Sequence, residues 1–180
     1  MKILKGLLFL IVGIIILALV VALFVKKDYA VEREVTINKP VTEVFDYIKH
    51  IKNQDQYSVW NRIDPAAKKT YSGTDGTVGF ISTWESTNKN VGKGEQEITN
   101  ITEGDRIDMK LRFKEPFNSE DDAYMTTQSL GENQTKVKWG FKGRMGYPMN
   151  LMLLFMDMES MLGKDLQGGL DTLKTTLEKQ

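Results

Sequence analysis

The most apolar part of the chain is its N-terminal segment. Leu7 to Val25 is an uninterrupted run of 19 uncharged, almost wholly aliphatic residues, with Lys2 and Lys5 before it and Lys26 and Lys27 after it. As a helix that rises about 1.5 Å per residue, the run is roughly 28 Å long, which matches the hydrocarbon core of a bilayer. Lysine stems can extend from such a helix toward the headgroups. The run therefore predicts one transmembrane helix that anchors the chain.

A cleavable signal peptide is the alternative for this segment. The apolar region of a signal peptide is about 7 to 15 residues long and precedes a site of small residues. Here the run is longer and ends in Phe24, Val25 and two lysines. The positive-inside bias favours a cytoplasmic N-terminus by a small margin, because Asp28 offsets the lysines after the run. We expect a single-pass membrane protein with residues 1–27 as the anchor and the rest of the chain on the external, periplasmic side.

Residues 28–180 contain no repeat and no Pro/Gly-rich linker, and therefore predict one domain. Tyr29 to Asn38 alternates charged with apolar or hydroxyl side chains, as a half-buried strand does. Pro40 then opens a helix that reaches Ile51 and has one apolar face. A second short helix or irregular segment continues to Trp60.

From Thr70 to Lys142, short alternating segments are separated by glycines, which is the pattern of an antiparallel meander. The predicted strands are 68–72, 78–86, 92–102, 106–115, 119–130 and 134–142. Apolar residues then recur at helical spacing from Leu151 to Leu177, which predicts one long helix over residues 149–179. Together the elements predict an α+β fold in which a seven-stranded antiparallel sheet curls around the C-terminal helix.

The composition excludes several classes of function. Lysine and arginine together number 24, as do aspartate and glutamate. Because four of the lysines flank the apolar run, the rest of the chain is mildly acidic, and we expect no nucleic-acid partner. The chain has no cysteine and one histidine, His50, which excludes thiolate chemistry and argues against a histidine metal centre. Glu95 and Glu97 lack the second carboxylate pair of a carboxylate centre, and we predict no metal site and no cofactor.

The segment Val35 to Tyr47, VTINKPVTEVFDY, resembles the opening of the SRPBCC superfamily, the START-like helix-grip proteins. Trp60 falls where this superfamily usually has a tryptophan after the second helix. The later stretches YSGTDGTVG, WES, GKGEQEIT, TKVKWGFKG and FMDMESMLGKDLQGGLDTLK are similar to its polyketide cyclase/dehydrase-like branch. The resemblance covers residues 29–180. It implies a cavity between the concave face of the sheet and the C-terminal helix, open near the start of that helix.

Methionines are concentrated where the resemblance places the mouth of this cavity. Six of the nine lie between Met145 and Met161. Met149, Met152 and Met156 form a second apolar face, which a helix that only covers a sheet does not need. Because methionine is flexible and polarizable, we expect these three to line a pocket or its mouth. Two alternatives stay open, namely that they fill a loose core or that they lean on the bilayer.

Large aromatic side chains in the strands are the other expected ligand contacts. Small-molecule sites are mostly apolar, and Tyr and Trp add polar tips that orient a ligand. The candidates are Tyr71, Phe80, Trp84, Phe113, Tyr124 and Trp139, with Phe141 beside them. Ordinary core packing is the alternative for each.

Carboxylates are the only acid/base candidates. Glu85 follows Trp84 on a strand, so the two point to opposite faces, and Glu85 faces the cavity if Trp84 faces out. Asp157 lies near the expected mouth, where burial would raise its pKa and make it a general acid. A solvated or ion-paired carboxylate is the alternative for both.

Three functions are compatible with these residues. The first is membrane-tethered binding of an apolar or amphipathic small molecule, a lipid or an aromatic metabolite, in an internal cavity of about 300 Å³ or more. The second is a polyketide cyclase/dehydrase-like or hydrolase-like enzyme that uses Glu85 or Asp157. The third is a non-catalytic interaction domain whose own side chains fill the cavity. The sequence indicates no particular protein partner.

Overall fold

A computed structural model describes residues 2–115 and 118–179. Its sheet has seven antiparallel strands in the order β1-β7-β6-β5-β4-β3-β2, so that the first strand pairs with the last. The strands are β1 (Asp28–Ile37), β2 (Lys68–Ser72), β3 (Ile81–Glu85), β4 (Lys93–Thr102), β5 (Arg106–Glu115), β6 (Ser119–Gly131) and β7 (Gln134–Arg144). The helices are α1 (Lys2–Ala22), α2 (Val41–Lys49), α3 (Gln54–Tyr57), α4 (Val59–Ile63) and α5 (Met158–Glu178). The predicted α+β helix-grip fold is confirmed.

Alternation along the strands separates an inner face from an outer face. The inner face carries apolar residues such as Val31, Ile98 and Met125, which are buried against the helices. The outer face carries paired charges, for example Lys138 beside Glu32 with 2.9 Å between Nζ and Oε1. Successive side chains of a strand point to opposite faces, so this pattern fixes which residues meet α5.

Helix α5 lies along β1 and covers part of the inner face. Its buried residues Leu166, Leu170, Leu173 and Leu177 recur every three or four positions, as the sequence predicts. The start of the helix differs from the prediction. Residues 149–154 form a separate 3₁₀ segment, and α5 begins only after Asp157, whose carboxylate accepts a hydrogen bond from the Ser160 N–H at 3.0 Å. This carboxylate caps the N-terminus of α5, and the single helix predicted over residues 149–179 is therefore two elements.

Two other boundaries differ from the prediction. Strand β3 begins at Ile81 and not at residue 78, because Gly79 has a φ of +86° and the Phe80 N–H bonds back to Thr77 O in a turn. The segment to Trp60 is a 3₁₀ turn (Ile51–Asn53) followed by the short helices α3 and α4.

Helix α1 projects from the domain. Residues 3–22 of this helix are long and apolar enough to cross a membrane, with a mean hydropathy of 3.0 in the most apolar part. Ala22 is fully buried and Ala18 half-buried, whereas the other residues from 3 to 21 are exposed. Both alanines belong to the end of α1 that contacts the 3₁₀ segment Met149–Leu154.

Candidate functional site

The inner face of the sheet divides into a distal half and a proximal half. The distal half, near the C-terminal end of α5, is filled by side chains. Tyr57 and Leu170 are wholly buried there, and Trp139 is 5% exposed. The Tyr57 and Trp139 rings meet edge to face at 5.7 Å, and the Tyr57 hydroxyl lies 3.6 Å from the sulfur of Met125. This half of the expected cavity is core.

The proximal half lies beyond the N-terminal end of α5, at the end of the sheet next to α1. Antiparallel register brings together inner-face positions from the start of β1, β4 and β6 and the end of β3, β5 and β7. Several large apolar side chains at these positions are only half-buried although they point toward the concave side. The apolar members are Tyr29, Trp84, Leu111, Phe113 and Phe141.

Two aromatic contacts give the proximal half its shape. Trp84 and Phe113 meet edge to face at 5.8 Å, and the indole N–H of Trp84 donates to the Val91 carbonyl at 3.2 Å. Tyr29 and Phe141 stack at 6.1 Å. Gly94 permits the first contact, because a Cβ there would lie 2.5 Å from Cζ2 of Trp84. The Trp84 ring therefore lies over Gly94 on the concave side of the sheet.

A buried carboxyl group lies among these apolar residues. Asp121, 5% exposed, sits opposite Leu111 on the inner face. Burial raises the pKa of Asp121, opposed by hydrogen bonds from the Ser119 hydroxyl at 2.9 Å and the Arg144 N–H at 3.3 Å. Burial, with the charge of Asp121, raises the pKa of the Tyr29 hydroxyl to about 12. A carboxyl group and a phenol on the same face offer a ligand oxygen acceptors and, when protonated, O–H donors.

An ion pair marks the boundary between α5 and the proximal half. Arg33 of β1 donates to the carboxylate of Glu159 at 2.5 Å and to its backbone carbonyl at 3.1 Å. The guanidinium packs against Gly163 of α5, where a Cβ would collide with it. This contact fixes the first turn of α5 on β1.

The two acid/base candidates from the sequence lie elsewhere. Trp84 faces inward, so Glu85 points to the outer face, where an ion pair with Lys93 at 3.0 Å lowers its pKa. Asp157 is the N-cap of α5, and its hydrogen bonds from Ser160 lower its pKa. The expected raised pKa of Asp157 is wrong, and neither carboxylate faces the concave side.

The aromatic candidates separate into three environments. Trp84 and Phe113 lie in the proximal half, while Phe80 and Trp139 are core. Tyr71, 40% exposed, stacks on Phe80 at the edge strand β2. Tyr124 belongs to the outer face, where its ring packs on Gly140 and its hydroxyl donates to Glu32 at 2.5 Å. The expectation that Tyr124 faces the cavity is wrong, because an even-numbered position of β6 points away from α5.

The methionine candidates do not form a face of α5. Met149 and Met152 belong to the 3₁₀ segment and are 51% and 41% exposed, and Met156 is half-buried in the connection to α5. The 3₁₀ segment that holds Met149 and Met152 contacts α1. Whether they touch a ligand stays a prediction.

Two open hollows of the described surface lie on the outer face. One, of about 500 Å³, includes Arg106, Tyr124 and Lys138, and the other, of about 430 Å³, includes Ala30, Asp122 and Lys142. The first is lined largely by charged and polar groups and the second by a mostly apolar surface, and neither is the enclosed cavity expected between sheet and helix.

Sequence reasoning missed Asp121 and Tyr29. The signal for Asp121 is present, because it shares the alternation of Ala123 and Met125, and an acidic residue in an apolar strand face is unusual. Asn150, the polar residue in the run MNLMLLFM, was missed as well; its side chain bonds to the end of α1.

Comparisons with known proteins agree with this architecture. A family model described as "Polyketide cyclase / dehydrase and lipid transport" matches residues 29–178. A structure of truncated norcoclaurine synthase from Thalictrum flavum is similar, with a TM-score of 0.63, 10% identity, and coverage of 85% of this chain and 95% of that one. A protein from Nitrosospira multiformis has a TM-score of 0.59 and 14% identity, covering 82% of this chain and 94% of that one.

At these identities the structures show a shared fold. The comparison with curated proteins gives no match. The family model covers far more than half of the chain, together with the first strand, the sheet and α5 that define the helix grip. The chain is therefore a member of the SRPBCC superfamily, in its polyketide cyclase/dehydrase and lipid transport family.

Proposed function

We propose that this protein is a membrane-tethered binding protein for one apolar or amphipathic small molecule, a lipid or an aromatic metabolite. The site is the proximal half of the inner face. The observation that carries the proposal is the row of inward-pointing but half-buried side chains, Trp84, Leu111, Phe113 and Phe141, beside the buried carboxyl of Asp121. Apolar walls with few polar groups are typical of small-molecule sites.

The energetics of the site favour such a ligand. Each square ångström of apolar surface removed from water contributes about 25 cal/mol, so covering the exposed parts of several half-buried rings favours binding. Asp121 and Tyr29 supply the polar contact that orients a headgroup, hydroxyl or carbonyl. Norcoclaurine synthase, which has the same fold, is found in complex with dopamine and hydroxybenzaldehyde, which supports an aromatic metabolite as one ligand class.

The tether is helix α1, whose apolar residues 3–22 have the length of a bilayer-spanning helix. Asp28, the first residue of β1, follows the helix closely, so the proximal half lies at the end of the domain nearest the membrane. In this arrangement an apolar molecule reaches the site from the bilayer without crossing water. The external side remains our proposal for the domain, on the charge bias of the flanking residues.

Native mass spectrometry of the full chain, purified in detergent, tests the proposal. The wild type should carry a co-purified apolar molecule. Leu111→Trp places an indole in the proximal half and should remove most of it. Lys110→Trp, at the adjacent position on the outer face, is the matched control and should retain it. A ligand-free wild type, or equal retention in both variants, would reject this site.

A second candidate function is an acid/base enzyme of the cyclase/dehydrase kind. Asp121 favours it, because a buried carboxyl with a raised pKa beside a phenol is an arrangement used for proton transfer. Asp121 takes the place of Glu85 and Asp157 in this hypothesis.

Product analysis separates the two functions. The co-purified molecule, once identified, is incubated with the wild type and with Asp121→Asn. An enzyme converts it only with the wild type, whereas both proteins bind it. An unchanged molecule after incubation with the wild type leaves binding as the function.

A further inference from the structure

We propose that the segment Met149–Phe155 lies in the membrane interface beside α1 and forms a second contact of this protein with the bilayer. The proposal rests on the proposed function in one respect, namely that α1 crosses the membrane. This second contact is not needed for α1 to tether the chain. It holds the domain in one orientation relative to the membrane.

The segment exposes more apolar surface than a water-facing loop normally does. Phe155 is 87% exposed, Leu154 56% and Met149 51%. Residues 145–156 contain no charged side chain. Contiguous apolar patches of this kind mark interaction surfaces.

Asn150 fixes the segment to the end of α1. Its side-chain amide is fully buried and donates to the backbone carbonyls of Ala22, at 2.7 Å, and Val25, at 3.0 Å. The last carbonyls of a helix have no partner within the helix, and leaving them unpaired is costly in an apolar medium. Asn150 supplies the donors that water would supply to a helix ending in solution. The Asn150 amide nitrogen thus bonds to the last residue of α1 and to the turn that follows it, while the amide oxygen Oδ1 meets no donor in residues 2–115 and 118–179.

The contact with α1 sets the depth of the segment. Ala22 and Ala18, four residues apart on one helix face, are the only α1 residues from 3 to 22 that are not exposed. Ala22 and Ala18 lie three and seven residues before Val25, the last residue of the apolar run. At 1.5 Å per residue along a helix, these separations are about 5 and 10 Å. Amphipathic elements in the interface are buried to about 5–10 Å. A segment packed at this height therefore lies at interfacial depth.

The flanking residues suit the same position. Tyr147 is 45% exposed just before the segment, and Lys26 and Arg144 are exposed beside it. Tyrosine is enriched at headgroup level, and lysine and arginine extend to it. Asp157, the first acidic residue after the run, already caps α5. A bilayer is thus the occupant that matches both the apolar surface and its rim.

Site-directed fluorescence on the full chain tests this inference. Because the sequence has no cysteine, each introduced cysteine gives a single labelling site. The variants Phe155→Cys and Met152→Cys probe the segment, Leu10→Cys probes α1, and Leu130→Cys, an exposed leucine of β6, is the aqueous control. Each is labelled with an environment-sensitive nitrobenzoxadiazole. The proteins are reconstituted in vesicles of phosphatidylcholine and phosphatidylglycerol, with or without doxyl-labelled lipid.

The label at residues 152 and 155 should be quenched by doxyl lipid several-fold more strongly than the label at residue 130. Equal quenching at 155 and 130, with strong quenching at 10, would overturn the inference and leave the tether intact. Protection from an aqueous quencher without doxyl quenching would show that protein covers the segment and would also overturn it. No doxyl quenching at residue 10 would refute the tether itself, and the inference with it.

Discussion

The two halves of the inner face share one sheet and one alternation but differ in what covers them. In the distal half, leucines of α5 and the side chains of Phe45 and Tyr57 fill the concave side, and residues there are almost wholly buried. In the proximal half, α5 has not yet begun, because Asp157 caps it level with Arg33 on β1.

The difference follows from where the covering helix starts. Because α5 begins at Met158, its buried leucines pack on the distal half, whereas the aromatic side chains of the proximal half are only half-buried. Stability is therefore concentrated in the distal half, and the proposed binding site in the proximal half. Substitutions that separate these roles test the comparison directly.

The largest effect is expected from a cavity in the distal half. Leu170→Ala should lower the free energy of unfolding by about 2 to 5 kcal/mol, because a fully buried leucine loses its contacts and leaves a void. Phe113→Ala, in the proximal half, removes a half-buried ring and should cost less than half as much. Chemical denaturation of the full chain in detergent micelles measures both. Equal losses would mean that the two halves are packed alike.

A smaller effect is expected where α5 approaches the sheet. A Cβ at Gly169 would lie 2.7 Å from Cζ3 of Trp139, so Gly169→Ala should destabilise the protein by about 1 to 3 kcal/mol through overpacking. At Gly168, a Cβ would meet only Cγ2 of Val59, at 3.3 Å. Gly168→Ala should be near neutral, because the helical preference for alanine, about 1 kcal/mol, offsets that contact. Thermal melts of the pair provide the measurement, and a stabilised Gly169→Ala would contradict tight packing there.

The proximal half should show itself in the pH dependence of stability. Because burial raises the pKa of Asp121, the folded state holds this proton more tightly than the unfolded state does. The wild type therefore loses stability as the pH rises from about 4, the ordinary pKa of aspartate, through the raised value. Asp121→Asn removes this loss, so its stability relative to the wild type should increase over that range and then level off. Denaturation curves at several pH values check this, with Asp122→Asn on the outer face as control; a parallel response of both variants would place Asp121 in a water-like environment.

The smallest effect is expected on the outer face. Glu85→Gln breaks an exposed ion pair with Lys93 and should leave the free energy of unfolding nearly unchanged, because solvent screens such a pair. It should leave ligand retention in native mass spectrometry unchanged. Loss of the ligand in this variant would contradict our placement of the binding site on the inner face of the sheet.

Sequence patterns predicted the strands well because their physical cause is local. The alternation of Val31, Val35 and Ile37 with charged or polar residues reflects which face of β1 is buried, and neighbouring residues alone reveal it. The stripe from Leu166 to Leu177 on α5 has the same origin. The order of the elements along the chain predicted the sheet that curls around α5, and the family resemblance over residues 29–180 agreed with it.

The site was harder to predict because its decisive contacts are not local. Residues 149–157 have a helical pattern, yet Asn150 bonds to α1 more than 120 residues away and Asp157 starts a new helix. Trp84 and Glu85 end strand β3, which is only five residues long. Alternation over so few residues does not determine which of the two side chains faces inward. The register with Gly94 and Phe113 decides that, and register depends on strands far apart in sequence.

Only Lys26 and Lys27 separate the apolar run from the first strand, and the Lys27 carbonyl accepts a hydrogen bond from Met145 N–H. Even fully extended, so short a connection spans about 10 Å. In the proposed arrangement the domain can neither reach across a compartment nor ferry cargo between two bilayers. It would search for its ligand in two dimensions, along its own leaflet, and any recipient of that ligand would have to come to the same membrane.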